Sequence, residues 1–160
     1  MGTIAQIQDL ERVKDLMKKM KLIKGQLAHI ATCDSEGRPN LAPIGSMRIT
    51  ENGNVHVIQG FLPKTFSNLK QNPKATFSVF KLPGVFGLFN LFLSNKDEAL
   101  GYRVYCDFIE ALDDHDAIEH ETTEILKKFP WVFRKPFSSF AKETFKRVLV
   151  FKVKDIRATM

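Results

Sequence analysis

The chain has little of what staples, anchors or dismantles a protein. It holds only 2 cysteines in 160 residues, Cys33 and Cys106. They form no CxxC pair, which excludes zinc ribbons and thioredoxin-like motifs on pattern. Each lies in an apolar, strand-like run, the setting of a buried free thiol in a reducing cytosol. A cytoplasmic location is therefore expected. Long hydrophobic runs are also missing. The longest, residues 85–93, is interrupted by Gly87 and Asn90 and falls far short of the roughly 20 residues that span a bilayer. The start of the chain lacks the basic-then-apolar order of a secretory signal. Gln6 stands where a myristoylation signal needs Ser or Thr. No membrane partner is expected on these grounds.

The common catalytic signatures are absent too. There is no GxSxG, no GxxxxGK[ST] and no GxGxxG. The net charge of +6 and pI near 9.4 permit an anionic partner. The basic residues are spread over several segments, with no RNP, zinc-finger or basic-zipper motif, so no nucleic-acid partner is expected. His115 and His120 are five apart on a helical stretch and do not share a face. Asp116 and His120 do, but carboxylate-rich helix surfaces ordinarily face water, and no metal site is expected. His29 and His56 fall in strands and read as packed or surface histidines.

What is present is an ordinary globular composition. A hydrophobic fraction of 44% with 26% charged residues argues against disorder. The length suits one domain with a core large enough to fold without disulfides. No repeat, low-complexity tract or linker divides residues 1–160.

The pattern predicts an amphipathic helix over residues 3–23. Thr3 and Gln6 form a capping box, Ile4, Ile7, Leu10, Val13 and Met17 recur along one face, and Gly25 stops it. Residues 27–33 read as a strand and 34–37 as a turn. Residues 39–49 read as a second strand, irregular at Pro43 and Gly45. A hairpin signal at 51–53 leads to a third strand over 55–59. Pro63 opens a short helix to residue 71, and residues 74–80 alternate as a fourth strand. Residues 82–93 are Phe- and Gly-rich and read as lid, dimer surface or core. A fifth strand covers 100–110, a helix 113–129 and a last strand 147–156, with an aromatic, Pro-broken segment at 129–140. The expected fold is α+β, mainly β: a half-closed or closed barrel of about six antiparallel strands with helices inserted.

One spot draws chemistry. Pro63-Lys64-Thr65 opens a helix directly after a strand, where free backbone N–H groups and the helix dipole favour an anion. Lys64 adds a charge, Thr65 a hydroxyl and Asn68, one turn on, an amide. Two readings stand: a phosphate cradle, or a capped helix with a solvated lysine.

The stretches LAHIATCDSEGRPNLAPIG and FLPKTFSNLKQNPKATFSVF resemble the flavin-binding split-barrel family, the group related to pyridoxamine 5'-phosphate oxidase. The likeness runs over residues 27–81, about half the chain. It implies a bound FMN, usually at the interface of a homodimer. Carried over by position, it implies that Lys64 and Thr65 bind the FMN phosphate with Asn68 in support. Ala42, Pro43 and Ile44 would line the isoalloxazine edge, and Ser46 would bond the ribityl chain or phosphate. Gln59 and Gly60 are weaker candidates. The implied activity is that of an FMN-dependent oxidoreductase on an unknown small molecule. A non-enzymatic electron carrier or sensor, or a relative holding haem or a deazaflavin, stands beside it. The family's Arg-Lys pair is replaced here by Lys64-Thr65, and its C-terminal Arg-Leu-x-Pro is missing, which speaks against vitamin B6 oxidation. No catalytic residue is identified.

Overall fold

In the computed structural model, residues 4–19, 28–60, 62–80, 101–113, 115–127 and 130–159 are described. The capping residue Thr3, the stop at Gly25 and the Phe-rich segment 82–93 lie outside them. Among the described residues eleven elements follow one another: α1 (Ile4–Lys19), β1 (Ala28–Cys33), β2 (Pro39–Ile44), β3 (Arg48–Ile49), β4 (Asn54–Gln59), α2 (Pro63–Gln71), β5 (Lys74–Phe80), β6 (Gly101–Leu112), α3 (His115–Leu126), α4 (Trp131–Thr144) and β7 (Arg147–Thr159).

The strands form one curled antiparallel sheet in the order β2-β1-β5-β6-β7-β4-β3. Its two edge strands, β2 and β3, are consecutive in the chain, so the sheet curls back towards its own start without being zipped there. The expected second strand therefore becomes two, and about six strands become seven. The reason is local. Pro43 removes a ladder donor, and residues 45–47 leave one edge of the sheet to enter the other.

Alternation builds the core. Ile30 of β1, Val55 and Val57 of β4, Phe77 and Val79 of β5, and Leu149 and Phe151 of β7 are fully buried on the concave side. Phe77 and Phe151 meet edge to face, 5.0 Å between ring centroids, a favoured aromatic geometry. Val13 of α1 is buried in the same cluster, with Leu10, Leu16 and Met17 packed on it. On the other side of β4 and β7, Ile58, Val148 and Val150 are also buried. There α3 packs on both strands and α4 packs on α3. α4 corrects the sequence reading of an irregular segment. Pro130 takes the N-cap position, where its missing N–H costs nothing, and Ala141 is buried. Tertiary packing outweighs the internal Pro136.

Both cysteines are free thiols. Burial pushes the Cys106 thiol far above its ordinary range, which makes it inert. Cys33 is half-buried and accepts the Asn72 amide at 3.0 Å. No described helix is long and apolar enough to cross a membrane.

Candidate functional site at the start of α2

β4 ends at Gln59, the chain turns at Gly60, and α2 begins at Pro63. A Cβ on Gly60 would lie 3.3 Å from the Phe145 ring, so the turn sits close against the chain entering β7. The Gln59 carbonyl accepts from the Lys146 N–H at 3.3 Å. Leu62 is the N-cap of α2, with no side chain closing the helix start and no acid in the first turn. The first intrahelical bond runs from the Phe66 N–H to the Leu62 carbonyl at 3.0 Å. The exposed helix end therefore carries uncapped N–H groups, a partial positive charge and Lys64.

The Lys64 side chain is 60% exposed, with Nζ 3.7 Å from Asp34 Oδ2. Asp34 is already well served. It accepts from the backbone N–H groups of Arg38 and Glu36 and from the Arg38 Nε. The Arg38 backbone bond leads in holding its carboxyl below the ordinary range. Gly37, at φ 78°, makes this turn possible. Lys64 is thus tethered loosely and stays available to a second anion.

The inner face of α2 carries Thr65, Asn68 and Leu69, all buried. Thr32 and Asn40 are partners across β1 and β2, and both reach this face. Asn40 Nδ2 donates to Thr65 Oγ1 at 3.1 Å, and Asn68 Nδ2 donates to Thr32 Oγ1 at 3.2 Å. Asn68 Oδ1 and Gln59 Oε1, both buried, have no partner among the described residues. Turning the Asn68 amide over would let Thr32 donate and would strand the NH2 group instead, so one end is unsatisfied in either orientation. Such a group costs about 1–3 kcal/mol when buried.

The other expected site residues are placed as follows. Ala42 and Ile44 share the inward side of β2 with Asn40, while Pro43 is exposed on the opposite side. α2 packs on β1 and β2. Ser46 is committed to structure: its Oγ accepts from the Ile58 N–H at 3.2 Å and donates to the Ile58 carbonyl at 3.4 Å. Lys64 parts company with Thr65 and Asn68: it faces out to Asp34 while they face in. Sequence reasoning missed Arg147. It is the register partner of Gln59, its guanidinium lies 4.8 Å from the Phe66 ring centroid, and Lys70 Nζ lies 4.6 Å from the same ring. Only the β4–β7 register brings Arg147 to α2, and nothing local in the sequence announces that pairing.

No family model and no curated protein matches the chain. Solved structures do. An FMN-binding protein from Syntrophomonas wolfei is 19% identical with a TM-score of 0.68, over 98% of this chain and 90% of that one. An F420 reductase is 11% identical with a TM-score of 0.53, over 82% and 89%. HutZ, the heme storage protein of Vibrio cholerae, is 12% identical with a TM-score of 0.53, over 92% and 92%. The chain has the split-barrel fold. At these identities the fold is what is shared, and it is the fold that residues 27–81 resemble.

On the convex side of the split barrel lies a second polar cluster that the sequence did not disclose. Arg48 and His56 are partners across β3 and β4, and Glu121 of α3 meets both. Arg48 Nε donates to Glu121 Oε2 at 2.8 Å, a second guanidinium N–H donates to Oε1, and His56 Nδ1 lies 2.9 Å from Oε1. Burial alone would raise the Glu121 pKa. The Arg48 and His56 hydrogen bonds outweigh it and lower the value to about 2. Arg48 is held correspondingly above its ordinary range, chiefly by its bond to Glu121. This fork is a joint between α3 and the sheet edge.

Proposed function

We propose that the chain binds FMN at the start of α2 and acts as a flavin-dependent oxidoreductase on a small molecule. One observation carries the reading: an uncapped, acid-free helix start bearing Lys64 adjoins a turn whose Gln59 amide oxygen is buried without a donor. A phosphate suits the first feature. Hydroxyl or ring N–H donors suit the second, and Asn68 offers a further amide in the same helix. The residues present therefore fit a phosphorylated flavin.

Lys64 and the N–H groups of the first turn hold the phosphate. Thr65 faces inward under Asn40, so it contributes its first-turn backbone N–H while its side chain holds α2 to β2. Gln59 orients the ligand by accepting from it, with Asn68 in support. The backbone of Ala42, Pro43 and Ile44 borders the ring, and Gly60 keeps the turn against Phe145. Ser46 acts through Ile58, by fixing the strand that carries Gln59. FMN supplies the electron transfer when bound, and the protein supplies binding, orientation and polarity. The functional unit is a homodimer, and the protein works in the cytoplasm.

A deazaflavin cofactor is the second reading. The resemblance to an F420 reductase favours it, and a phosphate and hydroxylated chain would use the same groups. Haem, without hydroxyl donors, leaves Gln59 unsatisfied.

The test is the visible absorption spectrum of the freshly purified protein, repeated with added FMN and for Lys64→Ala. Two flavin bands, FMN released on denaturation and an affinity about tenfold weaker in the variant are expected, as for loss of one charge-assisted contact. A colourless protein that ignores FMN overturns the proposal. Uptake without turnover of a nicotinamide donor and any acceptor would leave a carrier in place of an enzyme.

A further inference from the structure

Residues 127–142, KKFPWVFRKPFSSFAK, hold five lysines or arginines, five aromatic residues and neither Asp nor Glu. From Trp131 onward this stretch is α4, which runs on to Thr144 and so takes in one exposed acid, Glu143. The helix leaves much of its apolar surface uncovered: Trp131 is 80% exposed, Val132 56% and Phe140 43%. Arg134 and Lys135 are exposed beside them. At about 100° per residue, Trp131, Val132, Lys135 and Ser139 fall within one arc of about 100°. The buried Ala141 lies away from it.

Two needs meet on this face. An exposed indole and valine gain by leaving water, and a positive flank gains from anionic neighbours. A nucleic-acid strand would answer the charge but has no use for Val132. An acidic protein would answer the charge and leave the indole to chance. We propose that α4 docks on an anionic lipid surface, lying flat with Trp131 and Val132 in the headgroup layer and its basic residues on the lipid phosphates. The expectation of no membrane partner rested on the lack of a spanning run, a secretory signal and a myristoylation signal, and a surface-lying helix needs none of these. The proposal is independent of what binds at α2.

Trp131 is the only tryptophan of the chain, so the full-length protein reports on itself. Vesicles of phosphatidylcholine with about 30% phosphatidylserine should co-sediment the protein at least tenfold better than phosphatidylcholine alone, and shift the Trp131 emission to the blue. Raising salt from about 50 to 300 mM should release most of it. Lys135→Glu and Trp131→Ala, both at exposed positions, should each weaken co-sedimentation about tenfold while the circular dichroism spectrum stays unchanged. Equal binding to neutral vesicles, no binding at low salt, or binding with the Trp131 emission unmoved overturns the proposal. So does a blue shift that grows with protein concentration in the absence of lipid, which assigns the face to a second copy. A single-stranded oligonucleotide that moves the emission where serine-lipid vesicles do not would assign it to nucleic acid.

Discussion

Two buried polar clusters flank β4, one at its start and one at its end, and they are built to opposite standards. At the start, His56 joins Arg48 and Glu121 in a group in which each carboxylate oxygen has a donor and the guanidinium is forked onto it. At the end, Gln59 stops with its amide oxygen unpaired, and Asn68 nearby in sequence has one end of its amide in the same condition. A complete cluster fixes two elements relative to each other and asks for nothing more. An incomplete one, next to a positive helix end, is held at a cost by the surrounding fold, and under the proposed function a bound flavin completes it. The contrast separates scaffold from site without any catalytic motif to guide the choice.

The comparison breaks most visibly at Glu121. Glu121→Ala leaves the partly buried Arg48 without its counter-charge and should cost about 3–5 kcal/mol in urea unfolding. Glu121→Leu combined with Arg48→Met should recover most of that loss, because a packed apolar pair replaces the ions. An alanine variant as stable as the parent would mean that the fork is decoration.

Acid tests the same joint. Glu121 has a folded pKa of about 2 against 4.5 for the free group. Its stabilisation is complete above 4.5 and is lost as the pH falls from there through 2. The amount is about 3 kcal/mol for a shift of this size. Unfolding free energy followed from pH 6 to pH 2 should show the loss, and the glutamine variant should lack this component.

At the other cluster the effects on stability shrink and those on binding grow. Asn68→Leu gives up the bond to Thr32 but also removes an unsatisfied amide, so the net change should not exceed about 1 kcal/mol. Flavin affinity, read by fluorescence quenching, should drop about tenfold. The smallest change in folding is expected for Lys64→Ala, within the roughly 0.5 kcal/mol typical of exposed positions. Its effect should be confined to ligand affinity and to the salt dependence of that affinity. If Lys64→Ala or Asn68→Leu unfolds the protein as Glu121→Ala does, the distinction between the two clusters fails.

Much of the fold was legible because it is written locally. α2 and β5 fall where Pro63, the Asn72-Pro73 turn and the alternation of Ala75, Phe77 and Val79 put them. Three features were not legible. The break between β2 and β3 looks like mere irregularity until it is seen to link opposite edges of the sheet. α4 was hidden by Pro130 and Pro136, which read as breakers although one sits before the helix and packing overrides the other. Glu121 looked like one more acid on a solvated helix, because its partners Arg48 and His56 lie some seventy residues away. The site divides in the same way. Lys64 announces itself beside Pro63, and the Asn68 amide follows within a turn. That Gln59 is unpaired, that Ser46 is spent on Ile58 and that Arg147 is the neighbour of Gln59 depend on register, which one sequence does not carry.

The position of β4 has a consequence for how the protein is made. Among the described strands its long neighbour is β7, where Val55 pairs with Phe151 and Gln59 with Arg147. On the ribosome, β4 and the turn after it are synthesised before that neighbour has been translated. β1, β2 and β5 can meet earlier, since their pairings, out to His29 with Ser78, close shorter loops than Asn54 with Lys152. Closing the gap from β4 to β7 is the slow, late step that long-range pairing imposes. The turn at Gly60 therefore takes its final shape only after β7 has emerged, and whatever binds there is loaded only once β7 has joined the sheet.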